Sequence, residues 1–151
     1  MNKEELKTRL SELLQNAVSD ETGAWLALNI DAIDLLNVMP MLRKELDLDL
    51  LFCVTGVDWK THFSVVYHLT STNDRNTILV VKAKIADREN PSIPTVSGIW
   101  RTAEFHELEV YDFFGIIFTN HPGLRRLFLP EDWKGWPMRK DYSDPVNMIT
   151  L

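Results

Sequence analysis

Apolar residues recur every three or four positions between Lys3 and Val18, at Leu6, Leu10, Leu13, Leu14 and Ala17, with Lys3, Glu4, Lys7 and Glu12 left outside. That spacing predicts an amphipathic helix whose stripe faces a core. Gly23 breaks the pattern, and Trp25, Leu26, Leu28 and Ile30 predict a short strand over Ala24 to Ile30, expected to join its sheet at an edge. Asp31 is placed to cap a second helix, Ile33 to Leu46, with apolar positions at Ile33, Leu36, Val38, Met39 and Leu42. Pro40 lies inside that helix and removes a backbone donor, so a kink or a restart is expected there.

Leu48 to Asp58, His62 to Thr70 and Asn76 to Ala86 are rich in Val, Ile, Leu, Phe and Tyr and predict three strands, with Asn73 and Asp74 turning the chain between the last two. The Pro- and Ser-containing stretch Asn90 to Ser97 is the expected hinge. Val96 to Phe114 then reads as a helix, with Ser97 as its cap and Trp100, Ala103, Glu107, Tyr111 and Phe114 on one face. Gly115 closes it. The order predicts an α+β fold, a two-layer sandwich of helices on a small mixed or antiparallel sheet with an extended C-terminal arm. Residues 1–90 form the α+β body, 91–118 the Pro-rich hinge and acidic helix, and 119–151 a partner-binding arm.

The arm dominates the reading. From His121 to Tyr142 it carries Leu124, Leu127, Phe128, Leu129, Trp133 and Trp136, too many large apolar side chains for a solvated tail. Pro122, Pro130 and Pro137 with Gly123 and Gly135 predict an extended, turn-rich path. Arg125, Arg126, Lys134, Arg139 and Lys140 stand among Glu131, Asp132 and Asp141. Paired arginines beside aromatics suit bidentate binding to carboxylates on another surface, since the guanidinium fork matches a carboxylate. A folded body with a mobile arm that orders on binding is the expectation.

The chain has 151 residues, enough for one domain with a real core, and 45% of them are hydrophobic. No apolar run is long enough to cross a membrane, so membrane contact is expected only through partners. A net charge of −6 argues against nucleic acid as the main ligand and fits a soluble cytoplasmic protein. The single cysteine, Cys53, holds no iron–sulfur cluster alone and reads as a buried small hydrophobe.

His106-Glu107 lacks the second histidine of a zinc-protease helix, because position 110 is Val. Asp112-Phe113-Phe114-Gly115 has no phosphate loop to accompany a kinase reading. Glu104, Glu107, Glu109 and Asp112 crowd one helix, where cations must approach from elsewhere, and Arg125 and Arg126 are the candidates. The alternative is a free-standing acid–base enzyme using Glu107, Glu109 and Asp112. His62 and His68 read as surface or edge residues, and a ring nitrogen of His121 as satisfying a backbone group.

The block Glu107 to Ile116, followed by His121-Pro122, Leu124-Arg125-Arg126 and Asp132-Trp133-Lys134-Gly135-Trp136-Pro137-Met138-Arg139-Lys140-Asp141-Tyr142, resembles the C subunit, or 30 kDa subunit, of respiratory complex I, NADH:quinone oxidoreductase. Relatives usually have Arg where this chain has Leu108, Gly for Asn120 and Leu for Met138. The resemblance implies a non-catalytic structural subunit of the peripheral arm of a proton-translocating complex, on the cytoplasmic face of the plasma membrane. It implies no cofactor bound by this chain, with FMN and iron–sulfur clusters in partner subunits and a quinone-site large subunit as neighbour. Glu107, Glu109, Asp112, Gly115, His121, Pro122, Arg125, Arg126, Trp133, Gly135, Pro137, Arg139, Lys140, Asp141 and Tyr142 are the implied partner-binding or structural motif. The same family includes subunits of membrane-bound hydrogenases and formate hydrogenlyases, an alternative assembly. Fusion to the next subunit is not expected, because the chain stops soon after the motif.

Overall fold

The computed structural model describes residues 1–15 and 18–149. Helix α1 spans Lys3–Leu13, opened by a capping box in which the Asn2 side chain accepts from the Glu5 N–H and Glu5 accepts from the Asn2 N–H. It is shorter than the periodicity predicts; Ala17 lies outside the described residues, and Val18 begins a strand, β1 (Val18–Asp20). Strand β2 covers Leu26–Asp31. It is not an edge strand, because β1 pairs antiparallel along its outer side.

The second helix departs from its predicted stripe. A 3-10 turn takes Ala32–Asp34, and α2 runs Leu35–Glu45. Asp31 makes no side-chain capping bond. Leu35, Val38, Met39 and Leu42 are buried, whereas Ile33 is 85% exposed and Leu36 is exposed. The 3-10 turn rotates the helix relative to a continuous α-period, so the inward face shifts. The helix runs on through Pro40 without a restart, since Pro40 sits on the solvent side where the carbonyl it strands can meet water.

Strands β3 (Leu50–Asp58), β4 (Phe63–Thr70) and β5 (Ile78–Ile85) follow close to their predicted bounds. The sheet order is β1-β2-β5-β4-β3, antiparallel except where β2 runs parallel to β5. Alternation then decides the layers. Leu28, Val54, Phe63, Val65, Tyr67, Leu69, Leu79, Val81 and Ala83 face the core with Leu6 and Leu10 of α1 and the buried stripe of α2. This is the two-layer α+β fold read from the sequence. His68 is not at an edge: it lies on β4, an interior strand between β5 and β3, half-buried between Trp25 and Phe52.

The Pro- and Ser-containing stretch holds strand β6 (Ser92–Pro94), which pairs parallel with β7 (Ile117–Thr119). Helix α3 covers Ala103–Phe114 and starts seven residues later than predicted. Ser97 does not cap it, because its N–H and hydroxyl engage Thr95, and the residues before Ala103 are spent on turns that bury Val96 and Trp100. Thr102 and Trp100 instead donate to the Leu51 and Leu48 carbonyls, fastening the helix start to β3. Gly115 ends α3 in the left-handed region at φ +68°, as predicted.

Candidate partner-binding surface

Three of the four acidic residues of α3, Glu107, Glu109 and Asp112, separate by their position on the helix. Glu107 and Asp112 are fully buried, while Glu109 faces out. Asp112 becomes the anchor of the C-terminal segment. Its Oδ2 accepts from the consecutive N–H groups of Leu127, Phe128 and Leu129 at 3.2, 2.7 and 3.1 Å, and Arg126 Nη1 lies 3.3 Å from Oδ1. Burial pushes this carboxyl up, but the three amides and the guanidinium outweigh it and hold it below its ordinary value.

Arg126 is consumed inside the chain. Its Nη1 also donates to the Asp112 carbonyl at 2.7 Å, its Nη2 to the Trp133 and Gly135 carbonyls, and its guanidinium carbon sits 4.1 Å from the Trp136 ring centroid. The expectation that Arg126 approaches the acidic helix thus holds, and the expectation that it waits for a partner carboxylate is corrected. Arg125, which is exposed and donates only to the Gly123 carbonyl among the described residues, keeps that possibility.

The last carbonyls of a helix have no partner within it. Here the C-terminal segment supplies them. The Gly115 N–H donates to Tyr111, Arg126 to Asp112, the Met138 N–H to Phe113 at 3.1 Å, and Arg139 Nε to Phe114 at 2.6 Å. Trp136 lies so close over Gly115 that a Cβ there would stand 2.4 Å from the indole. Gly135, at φ +82°, admits the Tyr142 ring in the same way. Residues 126–142 are thus seated on α3 in the single chain, in place of the mobile arm expected from the sequence, and among the described residues they form no helix or strand.

A second clamp holds the far end. Asp58, buried at the end of β3, takes a two-pronged bond from Arg88 at 2.6 and 2.9 Å and accepts from the backbone N–H groups of Lys60 and Lys140. The Arg88 guanidinium, helped by the two amides, holds this carboxyl well below the usual range. Asp141 pairs with Arg88 at 3.4 Å, and Arg88 and Arg139 both lie over the Phe63 ring. The Lys140 side chain points to solvent.

Glu107 performs the same service for the β6–α3 connection, accepting from the Thr95 hydroxyl and the Val96 N–H. Burial raises its pKa against those bonds. His121 Nε2 lies 2.9 Å from the Glu104 carbonyl and its Nδ1 accepts from the Gly123 N–H, so the ring bridges backbone groups as expected. Pro122 is exposed, and Pro137 and Trp133 are half-buried.

Glu107 and Asp112 are saturated with bonds and out of reach of solvent, and Glu109 faces solvent. The arrangement does not gather them as an acid–base set. Sequence reasoning missed Asp58, Arg88, Phe63 and Thr95. A carboxylate in the core-facing register at the end of an apolar strand was the one available signal for Asp58; the others carried none.

Residues 28–146 match the family described as respiratory-chain NADH dehydrogenase, 30 kDa subunit. The chain is 46% identical over 125 residues to the NADH-quinone oxidoreductase C/D subunit of Phocaeicola vulgatus, with 82% of this chain and 24% of that protein covered. It is 40% identical over 140 residues to the NADH-quinone oxidoreductase C subunit of Roseiflexus sp., covering 88% of this chain and 79% of that one. The chain thus spans about a quarter of the length of the C/D relatives it matches. A chain in the solved structure of the membrane-bound sulfane sulfur reductase, an archaeal respiratory membrane complex, superposes with a TM-score of 0.80 at 27% identity, over 93% of this chain and 85% of that chain.

Proposed function

Because the chain belongs to the family of the respiratory-chain NADH dehydrogenase 30 kDa subunit, we propose that it is a non-catalytic structural subunit in the peripheral arm of a complex I-type NADH:quinone oxidoreductase. In that role it supports electron transfer from NADH to quinone through FMN and iron–sulfur clusters carried by other subunits. Its neighbours are a quinone-site large subunit and iron–sulfur subunits, and it reaches the cytoplasmic face of the membrane through them. No helix among the described residues is long and apolar enough to cross a membrane, in keeping with a peripheral position.

The observation that carries this reading is the use of the buried carboxylates. Asp58, Glu107 and Asp112 are each bonded to this chain's own backbone, where Asp58 and Asp112 fix the C-terminal segment and Glu107 the β6–α3 connection rather than await a substrate. Among the residues that segment leaves exposed are Arg125, Phe128, Lys134 and Lys140, with Glu131, Asp132 and Asp141 between them, a mixed charged surface that includes an aromatic. The structural neighbour in the sulfane sulfur reductase favours a second reading, the equivalent subunit of a related membrane-bound complex of hydrogenase or sulfur-reductase type.

A tagged full-length chain recovered from gently solubilised native membranes, with mass spectrometry of the co-purifying chains and an NADH:quinone assay, tests both. Flavin and iron–sulfur subunits with NADH-dependent quinone reduction are the expected result. Nickel–iron hydrogenase or sulfur-reductase subunits move the chain to the second reading, and recovery of the chain alone overturns the first and the second together.

A further inference from the structure

Four residues form a ridge along one side of α3, of which Phe113 is half-buried against the core and the other three are exposed. Phe105, Glu109 and Phe113 stand at i, i+4 and i+8, a spacing that aligns them along one ridge of the helix. Phe128 from the C-terminal segment extends the ridge by stacking on Phe113, with centroids 5.9 Å apart and planes 9° from parallel. Phe105 is 63% and Phe128 66% exposed. Glu109 is exposed at the centre and makes no hydrogen bond or ion pair among the described residues, although Glu107 and Asp112 on the same helix are fully engaged.

Exposed single apolar residues are ordinary; three aromatic rings around one unengaged carboxylate are a composite surface with its own requirement. We infer that this ridge docks an apolar segment of a partner subunit that presents an arginine to Glu109. The inference rests on the reading of the chain as part of an assembly.

The chemistry selects that occupant. A carboxylate flanked along the helix by phenyl rings calls for a cation that forks onto the carboxylate, sheds water readily and stacks on aromatic rings, which is the guanidinium rather than the ammonium. An acidic centre on a chain of net charge −6 is repelled by anionic lipid headgroups and by nucleic acid. A two-fold contact between copies centred on the ridge would set Glu109 against Glu109, so a second copy is disfavoured.

The test uses the tagged full chain assembled in native membranes, with p-benzoylphenylalanine in place of Phe105 for photo-crosslinking, and separately Glu109→Arg, Glu109→Gln and Phe105→Ala. Circular dichroism melting of each purified variant checks that the exposed substitutions leave folding intact. The expected crosslinked peptide belongs to another subunit and contains an arginine among apolar residues. Glu109→Arg should lower the amount of chain retained with the complex at least about tenfold, because two guanidinium groups are then forced together. Glu109→Gln should lose less, and changing the crosslinked arginine to glutamate should restore retention of Glu109→Arg. Normal retention of folded Glu109→Arg and Phe105→Ala variants overturns the ridge while leaving the subunit reading standing. A crosslink to a second copy, or to a peptide without a cation, overturns it as well. A wild-type chain recovered alone overturns both.

Discussion

Replacing Asp112 with alanine removes one carboxylate and strands four donors at once. The N–H groups of Leu127, Phe128 and Leu129 lose their acceptor, and Arg126, with its side chain 11% exposed, loses its counter-charge. Breaking a buried charge pair by deleting one partner costs about 3–5 kcal/mol. At about 2–4 °C per kcal/mol for a domain of this size, the melting temperature should fall by about 6–20 °C. The cost has a ceiling, since the C-terminal segment can release from α3 and let its amides meet water. Differential scanning calorimetry gives the total, and hydrogen exchange at the amides of Leu127, Phe128, Leu129 and Met138 tells whether the body unfolds or the segment detaches. A variant melting within about 1 °C of wild type, with those four amides exchanging freely in both proteins, would refute the reasoning.

Acid should act on the same groups. Asp58 and Asp112 have depressed folded pKa values, so the stability they lend is present above the unfolded carboxylate pKa of about 3.9 and is lost as pH falls through the folded values. Glu107 has the opposite sign: its raised pKa costs stability at neutral pH, and the cost is relieved as pH falls through its folded pKa toward about 4.3. Urea titrations from pH 7 to 3 should therefore show Asp112→Ala flattening the acid loss and Glu107→Gln abolishing the opposing gain, with Glu107→Gln no less stable than wild type at pH 7. Gly115→Ala should cost about 2–5 kcal/mol from its left-handed φ and the clash with Trp136, and the double variant Gly115→Ala/Trp136→Ala should cost less than the sum of the singles in thermal melts. Arg126→Lys should destabilise nearly as much as Arg126→Ala, because an ammonium cannot reach four carbonyl and carboxylate oxygens while lying flat on the indole, whereas Arg125→Ala should leave the melting temperature within about 1 °C and act only on assembly.

Where Val, Ile, Leu, Phe and Tyr are concentrated in runs bounded by turn residues, the sequence was enough: β3, β4 and β5 fall close to their predicted bounds, although a register shift between Leu51 and Cys53 interrupts the β3–β4 pairing. The start of α2 was misread because a 3-10 turn at Ala32–Asp34 changes the angular phase, exposing Ile33 and Leu36 in favour of Leu35. The start of α3 was misread because Val96 and Trp100 are buried by turns that happen to keep a helical spacing. At the surface, the residue types of the motif around Asp112, Gly115 and Arg126 were legible, and Arg126 was offered both to the acidic helix and to a partner without a means of choosing. Whether an arginine faces a partner or its own helix depends on backbone carbonyls, such as those of Trp133 and Gly135, that sequence does not display.

The borrowed carbonyl partners of α3 also set an order of events at the ribosome. The helix is complete at Phe114, yet the groups that close its end emerge only with Arg126, Met138 and Arg139, and the Asp58 clamp waits for Lys140. At ordinary synthesis rates those residues appear about 1–5 s after the helix does. During that interval Asp112 is a carboxylate without its amides and the Gly115 turn is bare of Trp136, so the nascent body carries an open, polar-lined notch beside its core. Synthesis of roughly the last fifth of the chain is thus a folding step in its own right, and a pause or premature stop between Gly115 and Lys140 should yield a body that chaperones and proteases treat as unfinished.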